Sequence, residues 1–398
     1  MAKPQIRLKG FREEWDSLPF LDIVDRVSTS GVSDSATPAV EFEDIISGEG
    51  LLNKDVTKKG IKKNGIAFSD GDILFGKLRP YLKNILLPNF NGIAVGDFWV
   101  LRPKQVVPYL LYNLVGSRHF MQVANISSGS KMPRADWRLV SGTEFSVPHS
   151  TSEQEGIAAY FRSLDELIQA SAKKVDSLKQ MKTACLQTMF PQPGETIPRV
   201  RFKGFTGDWE TSKLSSLAKR VTRKNNNLET QLPLTISSQY GLVSQLDYFN
   251  NVVASANLSG YYLIKRGEFA YNKSYSTGYP FGSVKRLDSY DMGALSTLYI
   301  VFEVVSGVSS NYLACFFDTS LWYGEVSQRA AEGARNHGLL NISAEDFLDI
   351  KIMMPKSQTE QEQISSYFHE LDAQIRLHEQ KLEKLKQIKA SCLDKMFV

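Results

Sequence analysis

Cysteine is scarce. Cys185, Cys315 and Cys392 are the only three in 398 residues, with no Cys-x-x-Cys spacing and no histidine pair beside them. That argues against structural zinc and against a disulfide framework. The five histidines, His119, His149, His337, His369 and His378, are scattered without metal-ligand spacing, so each reads as structural or surface. No apolar run approaches the ~20 residues that cross a bilayer, and the chain does not open with the basic, apolar and small-residue blocks of an export signal. A soluble, cytoplasmic protein with no membrane partner is expected. Phosphate cradles are missing as well: no Gly-x-Gly-x-x-Gly follows a strand pattern, and no Walker-type Gly-Lys-Ser/Thr loop occurs.

What is present is ample core material. With 42% hydrophobic and 23% charged residues, the chain is longer than one core usually serves, so two or more domains are expected. A net charge of +4 allows a polyanionic partner without requiring one.

The chain also repeats itself. "EQEGIAAYF" starts at Glu153 and "EQEQISSYF" at Glu360, 207 residues later, and "KQMKTACLQTMF" from Lys179 returns as "KQIKASCLDKMF" from Lys386 at the same offset. Upstream, "PQIRLKGFREEW" from Pro4 matches "PRVRFKGFTGDW" from Pro198 at an offset of 194, so the second copy carries about 13 extra residues in its body. Each half therefore has a similar opening, a divergent body and a similar tail.

The tails read as long helices, each preceded by a proline, Pro148 or Pro355, and opened by a capping box, Ser152-x-x-Glu155 or Thr359-x-x-Glu362. Phe161, Leu164, Ile168, Val175, Leu178, Cys185 and Met189 follow a three-four spacing, as do Phe368, Leu371, Ile375, Leu382, Leu385, Cys392 and Met396. This is a heptad seam interrupted by Ser171 and Lys182 in one copy and by His378 and Lys389 in the other. So wide an apolar stripe needs cover. The two helices are expected to pack on each other, the alternative being that each covers only its own domain. The bodies read as mixed, with buried strands at Asp70 to Leu82, Gly92 to Leu101, Lys265 to Tyr279 and Met292 to Phe302, and short helices at Val107 to Phe120 and Ser309 to Trp322. Each body is expected to be one α+β domain.

Two variable bodies alternating with two similar helices, each reached through a proline and an "EQ" phrase, resemble the specificity subunit of type I restriction-modification systems. The resemblance covers nearly the whole chain. It implies an α+β fold with a pseudo-two-fold internal repeat, in which two target recognition domains are separated by two long antiparallel helices forming a coiled coil. The implied domains are 1–150, 151–192, 193–356 and 357–398: first recognition domain, central helix, second recognition domain, C-terminal helix. It further implies a non-catalytic chain that binds double-stranded DNA, two modification subunits and restriction subunits. No cofactor is expected in this chain; S-adenosylmethionine, ATP and Mg are expected on the partners. The absence of an Asn-Pro-Pro-aromatic methyltransferase motif agrees with this. The cluster Asp346, Asp349 and Lys351 could be a hidden nuclease, but reads better as a solvated face leading into the second helix. The rival function is a scaffold whose paired helices mediate assembly and whose bodies bind protein or glycan.

Phosphates are contacted by Lys and Arg, and base edges are read by Arg, Asn, Gln, Ser and Lys in the major groove. In the first body the candidates are Lys77, Arg79 and Tyr81 after the Gly71-Asp72 turn, with Lys131 and Arg134 in "SSGSKMPR". In the second they are Asn272, Lys273, Ser274 and Tyr275, then Arg329, Arg335, Asn336 and His337 in "QRAAEGARNHG". All could instead be ordinary exposed polar residues in Gly-rich loops. The denser run "KKGIKKNG" from Lys58 ranks below them, because charge runs are usually solvated. "GSKMPRADW" and "GARNHGLLN" differ, which points to two different half-sites. Tyr160 and Tyr367, equivalent positions just off the seam, are candidates for contact with two copies of one partner.

Overall fold

The structure is a computed structural model that describes residues 4–58, 62–126, 132–238, 240–249, 251, 254–255, 257–276, 278–330 and 340–397. It divides into two compact units, one of residues 1–174 with 378–398 and one of residues 175–377. Each unit holds one body, the first part of the long helix that follows that body, and the last part of the other copy's long helix.

In the first unit, one sheet runs in the order Val24–Val27, Phe98–Pro103, Ile73–Gly76, Ile85–Leu86, and a second in the order Ser30–Val32, Asn64–Phe68, Gly92–Val95, Ala39–Glu41. Ile73–Gly76 is buried along its length, as a central strand rich in Ile, Leu and Phe should be. Helices Pro108–Gly116 and Arg118–Ala124 cover the first sheet with Leu110, Leu114 and Phe120. The second unit repeats the scheme. Its main sheet runs Ala218–Val221, Ile300–Val304, Phe269–Asn272, Ser283–Arg286, and helix Ser310–Phe317 lies against it.

The apolar stretch Gly92 to Leu101 is two strands rather than one, Gly92–Val95 and Phe98–Pro103. The chain bends at Gly96, whose φ of +95° suits glycine, and passes from the second sheet to the first. Met292 to Phe302 is divided in the same way, into Met292–Leu295 and Ile300–Val304.

The long helices are Thr151–Thr188 and Gln358–Met396. At 1.5 Å per residue each is roughly 57 Å long. They start earlier than their expected caps, so Ser152 and Thr359 fall inside the first turn. In the second copy the capping oxygen is Ser357 Oγ, which accepts from the Glu360 amide at 3.4 Å. Every seam position from Phe161 to Met189 is buried or half-buried, including Ser171 and Lys182. Within the first unit the start of one helix meets the end of the other, with Tyr160 Oη 3.4 Å from Cys392 Sγ. Within the second unit Tyr367 Oη stands at the same distance from Cys185 Sγ. The pairing is therefore antiparallel. All three cysteines are free.

Both expectations for the apolar stripe hold in part. Ile157 and Phe161 of the central helix join the core of the first body, and so do Met396 and Phe397 from the far end of the other helix. Ile364 and Phe368 join the second body together with Met189 and Phe190. Burying one such phenylalanine contributes about 1.5–3 kcal/mol, so each unit depends on the tail of the other repeat.

The duplicated "EQ" phrase has a structural cause. Arg7 donates to both carboxylate oxygens of Glu153 at 2.6 and 2.7 Å, and Arg201 does the same to Glu360 at 2.7 and 2.9 Å. Gln154 Nε2 donates to the Pro148 carbonyl at 2.9 Å, and Gln361 Nε2 to that of Pro355 at 2.8 Å. The glutamate ties the opening segment to the helix start, and the glutamine holds the proline turn before it. Hence openings and tails keep one sequence while the bodies diverge.

Candidate nucleic-acid interface

In the first body, strand Ile73–Gly76 delivers Lys77 to the sheet edge, where its amide donates to the Asp97 carbonyl at 2.9 Å. The segment from Lys77 to Arg79 then runs beside the segment ending at Ala135. Arg79 N donates to Pro133 O at 2.8 Å, Ala135 N donates to Lys77 O at 2.9 Å, and Leu78 bridges to Arg134. Two stretches some fifty residues apart in sequence thus form one surface. Arg79 and Lys83, at φ +48° and +51°, flank the single turn Pro80–Leu82. Non-glycine residues in this left-handed region are uncommon and cluster at binding sites. Tyr81 sits on that turn, 56% exposed.

Asp97 organises the cations. Its carboxylate lies 2.9 Å from Arg134 Nη2 and 3.5 Å from Lys77 Nζ, while Arg134 keeps 59% exposure. Behind them is a cavity of about 560 Å³ lined in part by Trp99, Trp137 and Leu139. Trp137 stands edge-on to Trp99 at 5.1 Å and carries the Arg26 guanidinium 4.8 Å from its ring. Asp97 carries no sequence signal beyond the Gly96-Asp97 turn, because its role depends on strand pairing.

The second body builds the same frame with different side chains. Strand Phe269–Asn272 leads into Lys273, whose carbonyl accepts from Leu340 N at 3.0 Å and whose Nζ donates to Ile342 O at 3.4 Å. Asn272 Oδ1 accepts from Ser274 N at 2.9 Å and fixes the turn. A Cβ on Gly282 would come within 2.0 Å of the Asn272 carbonyl, so glycine is required there. Tyr275 projects outward, 55% exposed.

Arg329 is engaged within its own unit. It contacts Glu325 Oε2 at 2.8 Å, the Asp349 carbonyl at 3.0 Å and Asp349 Oδ2 at 3.4 Å, with 20% exposure. Lys131, Arg335, Asn336 and His337 lie outside the described residues. In the basic run from Lys58, Lys58 pairs with Asp55 and Lys63 with Glu41. Tyr160 and Tyr367 turn their hydroxyls onto cysteines of the facing helix, and that hydrogen bond pushes the Tyr160 phenol up to about 12. The Tyr160 ring keeps 38% exposure.

The second unit also holds a charged cluster. Lys182 reaches Asp372 at 2.8 Å and Asp318 at 3.0 Å, and Lys285 reaches Asp318 at 2.7 Å. Burial alone would lower the Lys182 pKa, but the two carboxylates outweigh it and raise the value. Burial likewise opposes ionisation of Asp318, and the two lysines hold it below the ordinary range. Among the described residues there is no group of three ligands suited to a metal, and no helix long and apolar enough to cross a membrane.

Each compact α+β unit presents a loop pair beside its main sheet and holds an antiparallel pair of helix segments, an arrangement that can be compared with known proteins. Residues 206–387 match the family described as the type I restriction modification DNA specificity domain. The fold resembles that of the type I restriction-modification system S subunit from M. genitalium, at a TM-score of 0.62 and 13% identity, over 100% of this chain and 99% of that one. It also resembles a chain from a study of complex assembly and conformational transition of the type I R-M system, at a TM-score of 0.54 and 16% identity, over 97% and 98% of the two chains. Among curated proteins none matches significantly. Residues 206–387 are thus similar to a type I DNA specificity domain, and the chain as a whole shares the fold of the S subunit from M. genitalium.

Proposed function

We propose that the chain reads an asymmetric bipartite DNA site, one half-site by each body, and directs adenine methylation and restriction carried out by partner subunits. The observation that carries this is the repeated frame with unlike surfaces. Lys77, Arg79, Tyr81 and Arg134 stand on the first, and Asn272, Lys273, Ser274 and Tyr275 stand in the corresponding place on the second. One scaffold with two chemistries suits two different half-sites. The chain itself is non-catalytic, with S-adenosylmethionine, ATP and Mg on the partners. Two modification subunits bind through the duplicated helix surfaces around Tyr160 and Tyr367. Arg329, held by Glu325 and Asp349, supports the second interface from within.

Co-expression with modification subunits, followed by mapping of methylated adenines in host DNA, tests the reading. A split motif with two unlike halves is expected; a continuous motif or none sinks it. Native mass measurement tests the stoichiometry, with two modification subunits per chain expected at saturation.

A further inference from the structure

The second body carries a two-stranded element beside its candidate interface. Strands Leu234–Ser237 and Gly241–Ser244 form a two-stranded antiparallel ribbon. Ser237 pairs with Gly241, whose φ of +83° suits glycine. The Tyr240 amide donates to Ser237 Oγ at 3.2 Å, which fixes the backbone of the residue at the tip. Its side chain is 69% exposed, the most exposed of the large apolar and aromatic side chains among the described residues.

The tip is fastened to the candidate interface. Ser238 Oγ lies 3.4 Å from Ser276 Oγ and 3.3 Å from Ser283 Oγ, so a hydroxyl cluster joins the ribbon to the loop carrying Asn272 to Tyr275. From Thr230 to Leu246 the sequence has no acidic residue. Between Glu229 and Asp247 it has no basic residue either, so the ribbon is a neutral surface that a polyanion tolerates.

We propose that Tyr240 is a specificity-determining residue of the second half-site, with its ring against the 5-methyl group of a thymine in the major groove. The groove admits a two-stranded ribbon, and apolar contact with that methyl distinguishes thymine from the other bases. This inference rests on the proposed reading of a bipartite site by the two bodies.

The test uses the assembled methyltransferase complex. Methylome sequencing of Tyr240→Ala is expected to relax one thymine of the second half-site, with preference there falling about tenfold or more, and to leave the first half-site unchanged. Tyr240→Phe, which keeps the ring, is expected to retain the wild-type motif. In vitro, replacing that thymine by uracil, which lacks the methyl, should slow methylation by the wild-type complex and leave the alanine variant unaffected. Unchanged letters in Tyr240→Ala, or a uniform loss of methylation with no change in letters, overturns the proposal while a split wild-type motif keeps the bipartite reading standing. A wild-type complex that methylates no split motif removes both.

Discussion

Arg7 grips Glu153 through two parallel hydrogen bonds, and the carboxylate is only 1% exposed, so this ion pair is sealed between the opening segment and the start of the central helix. Trp15 Nε1 adds a weaker contact at 3.3 Å. Removing one partner of such a pair leaves a buried charge with little compensation, which costs about 3 kcal/mol or more. Arg7→Ala is therefore expected to lower the urea midpoint clearly, and Glu153→Gln in the same chain to recover part of the loss by removing the stranded charge. Equal midpoints for wild type and Arg7→Ala would mean that water reaches Glu153.

Lys182 offers a pH-dependent counterpart in the second unit. Its raised pKa means that its contribution is complete below the ordinary lysine value and fades as pH rises through the folded one. The lowered pKa of Asp318 gives a contribution complete above the ordinary aspartate value and lost as pH falls through the folded one. The cluster should then act at full strength from about pH 4 to about pH 10. Lys182→Met is expected to destabilise by about 2 kcal/mol near neutrality, with the difference from wild type shrinking below about pH 4. A difference that grows on acidification would contradict this account of the cluster.

The long helices were legible because periodicity is a property of one segment. Spacing alone identifies Phe161, Leu164 and Val175 as one stripe, and its burial follows. The caps were harder to place, since hydroxyls crowd both starts: Ser150, Thr151 and Ser152 in one copy, Ser357 and Thr359 in the other. Three-dimensional pairing decides among them. The break at Gly96 was hidden for a similar reason, as a glycine inside an apolar run marks a change of sheet only when the strand pairing is known. Asp97 and Tyr240 were illegible for a deeper reason. The first gains its role from Lys77 and Arg134, and the second from the Ser238–Ser276 contact that joins its ribbon to the interface loop, and no local pattern encodes either.

Asp97 restrains two cations that would otherwise be free to meet phosphate. Asp97→Asn removes the negative charge between Lys77 and Arg134 and is expected to tighten binding to DNA of any sequence, with a steeper dependence on salt. Since the aspartate also aims Arg134, the ratio of specific to non-specific affinity should fall. Titration of cognate and scrambled duplexes at two salt concentrations measures both effects. Weaker binding to both duplexes would show that Asp97 serves the fold rather than the surface.

Arg134 and Lys273 separate the two bodies. They stand on corresponding frames in different units, and Arg134 is exposed with one carboxylate partner whereas Lys273 Nζ touches the Ile342 carbonyl. If Arg134 reads a base edge, Arg134→Ala should cost about 1 to 3 kcal/mol at one position of one half-site. A phosphate contact would instead weaken binding evenly and reduce the salt slope by about one unit. Lys273→Ala should act only on the other half-site, by whichever of these two signatures applies to it. Methylome sequencing of the two variants beside wild type decides the assignment. Changes in the same half-site for both would show that one body reads across the other's sequence, and the division of one half-site per body would have to be abandoned.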